Sequence, residues 1–451
     1  MSKLNLFDKN FIKLFLGLSL PMALQNLITS SVNLIDTLMI GQLGETAIAA
    51  VGLANKVYFV FSIMIFGMCG GSSAFLTQFL GKKDTAGIKK VLFLNLALAG
   101  GFSVIAFLTA CFFPTVLMGW LSDDTAVIQE GAKYLRLVAV SYIPTAISYV
   151  MGYALKSVEQ PKIPLVTSLI SIVTNAFFNY TFIFGKFGAP ELGAVGAAIG
   201  TIIARYIEFA VIIILSLKKL EYLRHNIGEY FHKRPGFIKN YYKLVVPVTL
   251  NETLWSLGTT LLSAIFARVS TECIASVNII NILYETSSVL IFGMSHAAGI
   301  IIGKEIGAGR KENAYLFAKR FNIYVPVLAI ACILILNPLM PMFLNLFKID
   351  AKTLEITKNL TKIMFFFFPL RSFAHLNIVG TLRSGGDAIF CVFADVASLW
   401  IIAVPFTFIF GILLEQSVEV TYFVSQVEQF IKITAILVRM RKNTWIKDLV
   451  N

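Results

Sequence analysis

Apolar residues occur along this chain in long blocks, not in strict alternation. Twelve such stretches, each bounded by charge, glycine or proline, lie near 14–40, 48–78, 89–114, 132–155, 163–184, 192–217, 242–268, 274–303, 318–346, 356–382, 388–411 and 418–438. A helix needs about 20 largely apolar residues to cross the hydrocarbon layer of a bilayer. The pattern therefore predicts an all-α membrane protein of twelve transmembrane helices, the longer ones tilted or kinked. The first block follows Lys3, Lys9 and Lys13, as a signal peptide would. It continues past Asp36 with no small-x-small cleavage pattern, so it is expected to be a retained helix.

The blocks repeat. A shift of 226 residues places Pro21 on Pro247, Ile65–Met68 on Ile291–Met294, Gly81 on Gly307, and Thr181–Gly185 on Thr407–Gly411. Each half then holds six spans and returns the chain to the side where it started. The expectation is two six-helix bundles related by a pseudo-two-fold axis along the membrane normal. Residues 1–217 form an N-terminal lobe, 218–241 a cytoplasmic linker and 242–451 a C-terminal lobe. Two matched bundles suit alternating access, whereas a channel would be expected to show a filter segment.

Composition narrows the class further. Hydrophobic residues make up 57% of the chain and charged residues 14%, too few to clothe a soluble protein of 451 residues. The formal charge of +13 is mostly topological, because 26 of the 38 Lys and Arg residues fall at the termini or in loops on one side. These include Lys82, Lys83, Lys89 and Lys90, the central run from Lys218 to Lys243, and Arg439, Arg441 and Lys442. The opposite loops carry Glu45, Asp123, Asp124, Glu130, Glu415 and Glu419. The positive-inside rule places both termini in the cytoplasm of a plasma-membrane protein. No basic domain lies outside the spans to bind nucleic acid.

Charged residues inside a bilayer are costly and face the protein interior or water, so they mark candidate sites. In the first helix, Asn26, Thr29, Asn33 and Asp36 share one face, beside Gln25 and above Pro21. The stripe ends in a carboxylate, which points to a cation or proton site; polar glue between helices is the alternative. Ser171, Asn175 and Asn179 repeat every four residues in the fifth helix, and Thr201 lies in the sixth. These neutral oxygens could complete the environment of Asp36 or simply bond between helices.

The second half carries Asn251, Glu252, Trp255, Ser256 and Thr259 after Pro247. Asn278, Asn281, Glu285 and Ser288 follow on one face, then Arg371 with His375, and Asp395. Glu252, Glu285 or Asp395 could bind substrate cations or neutralise Arg371, and an Arg–Asp pair would be merely structural. Arg205 with Glu208, and Glu428 with Lys432, have the spacing of intrahelical salt bridges. Lys56 is expected to snorkel or to pair with an acid, Asp36 being one candidate.

Five scattered cysteines support neither a disulfide framework nor a metal site. Gly299, Gly303 and Gly307, like Gly196 and Gly200, have the spacing of close helix packing. Gly303-Lys304-Glu305 is not a P-loop, because Ser or Thr is missing after the lysine. No metal or nucleophile constellation suggests an enzyme, and no cofactor is expected.

Several segments together resemble the MATE (multidrug and toxic compound extrusion) family across essentially the whole chain. They are PMALQNLITSSVNLIDTLMIGQLG at Pro21–Gly44, NAFFNYTFIFG at Asn175–Gly185, GKEIGAGRKE at Gly303–Glu312 and LRSGGD at Leu382–Asp387. The resemblance implies a monomeric, two-lobed, V-shaped antiporter. Such proteins export organic, often cationic and amphipathic compounds in exchange for Na+ or H+.

Asp36 matches the family's first-helix acid, a cation-coupling position, with Asn33 on the same face. Asn175 and Thr201 match neutral members of the same site, and Asn179 stands where some relatives carry a second Asp. Glu252 lies about one turn nearer Pro247 than the second-lobe Glu of relatives, and Trp255 occupies that place. Gln25, Asn26, Glu252, Trp255, Asn281, Glu285, Arg371 and Asp395 are the candidate substrate-cavity residues. The alternative reading is a lipid-linked precursor flippase of the same superfamily, which would be expected to have extra helices and a basic cavity.

Overall fold

The computed structural model describes residues 8–220, 223–231, 234–347, 349–442 and 444–450. Among these residues there is no strand. Lys3 and Lys233 of the topological set lie outside them, as does the side chain of Asn33. The helices follow the apolar blocks. The first half runs α1 (Lys9–Ile40), α2 (Glu45–Lys82), α3 (Thr85–Phe112), α4 (Pro114–Gly119), α5 (Thr125–Val138), α6 (Tyr142–Ser157), α7 (Lys162–Ile183) and α8 (Gly193–Lys219). The second half runs α9 (Phe237–Val269), α10 (Thr271–Gly307), α11 (Lys311–Leu344), α12 (Ala351–His375), α13 (Ala388–Ser398), α14 (Val404–Phe408), α15 (Val418–Gln426) and α16 (Glu428–Arg441).

Ten helical segments among the described residues are long and apolar enough to cross a membrane. The helix α9 and the pair α15–α16 occupy the other two stretches expected from sequence. Some expected single helices are interrupted. The block 132–155 is divided between α5 and α6 by a 3-10 turn at Ala139–Ser141, where Pro144 has no N–H to give to the preceding turn. The block 388–411 contains π-helical turns at Leu399–Ala403 and Ile409–Leu413, flanking Pro405. In contrast α1 passes through Pro21 as one helix. Helix starts are capped by polar residues in the loops: Asp124 accepts from Ala126 at 2.8 Å, and Ser270 accepts from Cys273 at 3.0 Å.

The chain divides into two compact units. One comprises Leu24–Leu76 and Lys83–Tyr241. Its basic connection is tied to α3 and the preceding turn: Lys89 donates to Glu229 at 2.8 Å and Arg234 to both oxygens of Asp84 at 3.1 and 2.8 Å. The hydroxyls of Tyr241 and Ser72 bond at 2.8 Å.

The other unit comprises Met1–Ala23, Thr77–Lys82 and Tyr242–Asn451. Phe11 of α1 stacks on Phe317 of α11 at 4.9 Å. The glycine stripe of α10 behaves as expected of close packing. A Cβ at Gly303 would meet Thr77 and one at Gly307 the carbonyl of Gln78, both of α2.

This unit also holds the C-terminal tail. Trp445 is fully buried, and a Cβ at Gly385 would fall 2.5 Å from its ring. Gly386 adopts φ +84° beside Leu449, a backbone that suits glycine. Gln78 donates to the carbonyls of Ser384 and Lys447 at 3.1 Å and accepts from the Leu449 N–H at 2.8 Å. Asp387 accepts from Arg439 at 2.6 and 3.0 Å and from Lys447 at 2.7 Å. Burial alone would raise the Asp387 pKa, but these cationic donors outweigh it and hold the carboxyl below its usual value. A depressed folded pKa adds stability above the unfolded value of about 4 and loses it as pH falls further. Trp445→Ala removes the anchor, a change worth about 3–5 kcal/mol for a buried Trp. Trypsin should then cut after Arg441 or Lys442 at least about tenfold faster than in the wild type. An unchanged cutting rate would show that the ion pairs alone hold the tail.

Candidate functional site

In the unit Leu24–Leu76 and Lys83–Tyr241, α7 and α8 form a close antiparallel pair. Gly196 and Gly200 make it possible: a Cβ at Gly196 would lie 2.4 Å from the Phe182 carbonyl, and one at Gly200 only 2.2 Å from the Asn179 side chain. The four-residue spacing of Ser171, Asn175 and Asn179 then lines them up on buried rungs against α8. Asn175 donates to Thr201 Oγ1 at 3.4 Å, and Asn179 donates to Asn175 Oδ1 at 3.3 Å and to Asp36 Oδ1 at 2.7 Å. Four residues singled out in the sequence are thus joined in one chain of hydrogen bonds. Asn179 is fully buried, and its Oδ1 has no hydrogen-bond partner. Tyr134 of α5 is buried in the neighbourhood of Asp36 and Thr201, with no periodic signal in the sequence to announce it.

Further along the same helices, Arg205 pairs with Glu208 at 2.8 Å, as their spacing predicted. Ser171 also donates to Glu208, at 3.1 Å. Gln25 donates to Ser168 at 3.2 Å, and Asn26 is half-buried. Lys56 is exposed, and Asp36 accepts from the amide of Asn179 instead.

The other unit treats its acids differently. Glu252 of α9 accepts from Arg383 at 2.6 Å, and both side chains are buried. Asp395 of α13 accepts from Lys432 of α16 at 2.7 Å and from Asn251 at 3.2 Å. Lys432 also reaches Glu428 at 3.4 Å, so the expected intrahelical pair forms, but Asp395 is the nearer acid. Neither Glu252 nor Asp395 takes Arg371 as its ion-pair partner, an arrangement the sequence had left open. Arg371 instead lies 3.7 Å over the Tyr284 ring, where a guanidinium is held by the aromatic face. His375, four residues on, packs on Phe292 at 4.6 Å.

The decisive cations here are Arg383 and Lys432. In the sequence Arg383 stands within the Leu382–Asp387 segment, and Lys432 has the spacing of a local pair with Glu428. The available clue was Lys432 itself, an amine inside an apolar block. On α10, Asn278, Asn281 and Glu285 are all exposed and Ser288 is buried. Trp255 of α9 is exposed as well.

The MatE family model matches residues 21–181 and again residues 247–409. The chain belongs to the MatE family. The two matches begin 226 residues apart, the same offset as the internal repeat. Among family relatives, the uncharacterized transporter YisQ of Bacillus subtilis is 25% identical over 416 residues, covering 91% of this chain and 90% of that one. The probable multidrug resistance protein NorM of Thermotoga maritima is 24% identical over 414 residues, covering 88% and 85%.

Solved structures share the fold. A multidrug resistance MATE family transporter in an outward-facing conformation superposes with a TM-score of 0.86 at 17% identity, over 97% of both chains. The Vibrio cholerae MATE transporter VcmN gives 0.86 at 18% identity, over 98% of both. The protein is an all-α, multi-span membrane protein of this family.

Proposed function

We propose that the protein is a secondary-active antiporter of the plasma membrane, with both termini cytoplasmic. It exports organic, cationic amphipathic compounds in exchange for Na+ or H+ by alternating access. One contrast carries this reading. Asp36 is held by a neutral amide, whereas Glu252 and Asp395 each have a cation of the chain itself within 2.7 Å. Asp36 is therefore the acid best suited to a mobile cation. The buried Oδ1 of Asn179 has no hydrogen-bond partner and faces Gly200 of α8, so a flip of this amide would turn it toward Asp36 as an acceptor for that cation or for a protonated carboxyl. Oxygen ligands of this kind suit Na+ as well as H+.

Binding at Asp36 drives transport only if it favours one state of the transporter over the other. Asp36 lies on α1, the helix in which Pro21 lacks a backbone donor, and cation binding would rearrange that helix at this turn.

Substrate preference rests on α10. A polar stripe on a membrane-spanning helix that its own unit leaves uncovered is far more stable against water than against lipid. Asn278, Asn281 and Glu285 form such a stripe, and among these Glu285 supplies the negative charge. Glu285→Gln should raise the KM of a cationic substrate about tenfold, the worth of one charge-assisted hydrogen bond, and leave neutral substrates unchanged. Equal effects on both classes would remove Glu285 from the cargo site.

The antiport itself is tested in proteoliposomes with Na+ and pH gradients imposed separately. Export should follow one gradient and reverse with it, and substrate should drive the corresponding ion flux. Export indifferent to both gradients would refute antiport.

A further inference from the structure

The structure gives the proposed cation site a charged neighbour that its own ligands do not explain. On α8, Arg205 stands four residues beyond Thr201 and three before Glu208, so all three share one face. On α7 the matching rungs are Asn179 beside Asp36, Asn175 beside Thr201, and Ser171 beside Glu208. At 1.5 Å per residue, Asn179 and Ser171 are separated by roughly 12 Å along the helix, with Arg205 opposite the interval between them. A long, flexible guanidinium thus sits between two carboxylates, Glu208 at 2.8 Å and Asp36 within electrostatic range. The Arg205 side chain keeps 21% exposure and that of Glu208 13%, so the pair is not locked inside the core.

We propose that Arg205 is a tethered competitor of the coupling cation at Asp36; this inference rests on the antiport reading above. In the arrangement seen, Arg205 rests on Glu208 and leaves Asp36 open. When the cation departs, an isolated carboxylate inside the membrane is unfavourable, and Arg205 moves toward Asp36. Glu208 keeps the Ser171 hydroxyl as a donor at 3.1 Å. The exchange lowers cation affinity and promotes release, with no covalent step. Arg205 is a positioning residue on this account, and Glu208 is the dock that holds it away.

The two residues predict opposite effects. Arg205→Gln removes the competitor and should tighten Na+ binding about tenfold, the scale of one charge roughly 10 Å away at an effective dielectric of about 20. Glu208→Gln removes the dock and should weaken binding by a similar factor. The double variant should match Arg205→Gln alone. Arg205→Lys keeps the charge and should stay within about threefold of the wild type, which separates competition from misfolding.

Two probes cover both candidate ions. Radioactive Na+ binding to the purified full-length protein reads sodium. In sodium-free buffer, the pH midpoint of the Asp36 carboxyl infrared band reads protons, with Asp36→Asn as the blank. That midpoint should rise in Arg205→Gln and fall in Glu208→Gln. The other groups facing the cluster are Glu208 and the phenols of Tyr58, Tyr134 and Tyr149. Phenols ionise near pH 10 in water, outside the carboxyl range.

Shifts of the same sign in the two single variants, or no shift in either, would overturn the competitor role while leaving cation binding intact. A wild type that neither binds Na+ nor takes a proton at Asp36 would instead overturn the antiport reading, and this inference with it.

Discussion

Asp36→Asn should sharply reduce gradient-driven export while leaving a folded protein that still binds substrate. The substitution preserves shape and retains an oxygen that can accept the 2.7 Å bond from Asn179. What disappears is the charge that lets a cation choose between two states. Coupling energies of 1–3 kcal/mol are typical, so the loss should be a roughly 5- to 150-fold fall in export driven by an ion gradient. The measurement is export rate from proteoliposomes under the effective gradient, with thermal midpoint and substrate binding as controls for folding. Wild-type export by this variant would sink Asp36 as the coupling site. Lost substrate binding together with a lowered midpoint would reassign the residue to structure.

Glu252→Gln should be among the most destabilising single changes in the second unit. Arg383 is 3% exposed, its Nη2 bonds Glu252 at 2.6 Å, and its Nε has no hydrogen-bond partner. Removing the acid leaves a buried guanidinium without its closest counter-charge, which costs about 3–5 kcal/mol in comparable buried pairs. Replacing both partners is much less damaging than replacing one. Glu252→Gln should therefore lower the thermal midpoint clearly, and Glu252→Gln with Arg383→Gln should recover much of it. If Glu252→Gln has no effect on the midpoint but raises substrate KM, the pair belongs to cargo binding and not to stability.

Membrane helices were legible in the sequence because hydropathy is a local, additive property. A bilayer offers backbone groups no water, so an apolar block of sufficient length has little alternative to a helix. All twelve expected blocks coincide with helical segments. The internal breaks were less legible. Pro144 and Pro405 mark two of them, yet α1 runs through Pro21 unbroken, because the consequence of a missing N–H depends on what else supports that turn.

Within the candidate site, periodicity carried part of the answer. Ser171, Asn175 and Asn179 had to share a face of α7, and Gly196 and Gly200 had to mark a close approach. Whether they serve Asp36 or bond between helices was left open by the sequence; Asn179 and Asn175 join Asp36, whereas Ser171 donates to Glu208. By contrast, the acids of the second unit gave little hint of their partners beyond Lys432, an amine inside an apolar block. Asp395 meets Lys432, 37 residues away, and Glu252 meets Arg383, 131 residues away.

The sequence by itself determined which segments are helical, that they repeat at an offset of 226, and that a few acids must be kept from lipid. Those properties follow from transfer energies and helical pitch, which act residue by residue. Only the tertiary structure decided which acid keeps a neutral partner and which are matched by the chain's own cations. A rotation of a helix by a fraction of a turn exchanges one partner for another. It separates Arg371, lying on the Tyr284 ring, from Arg383, held by Glu252, and no local pattern records that rotation.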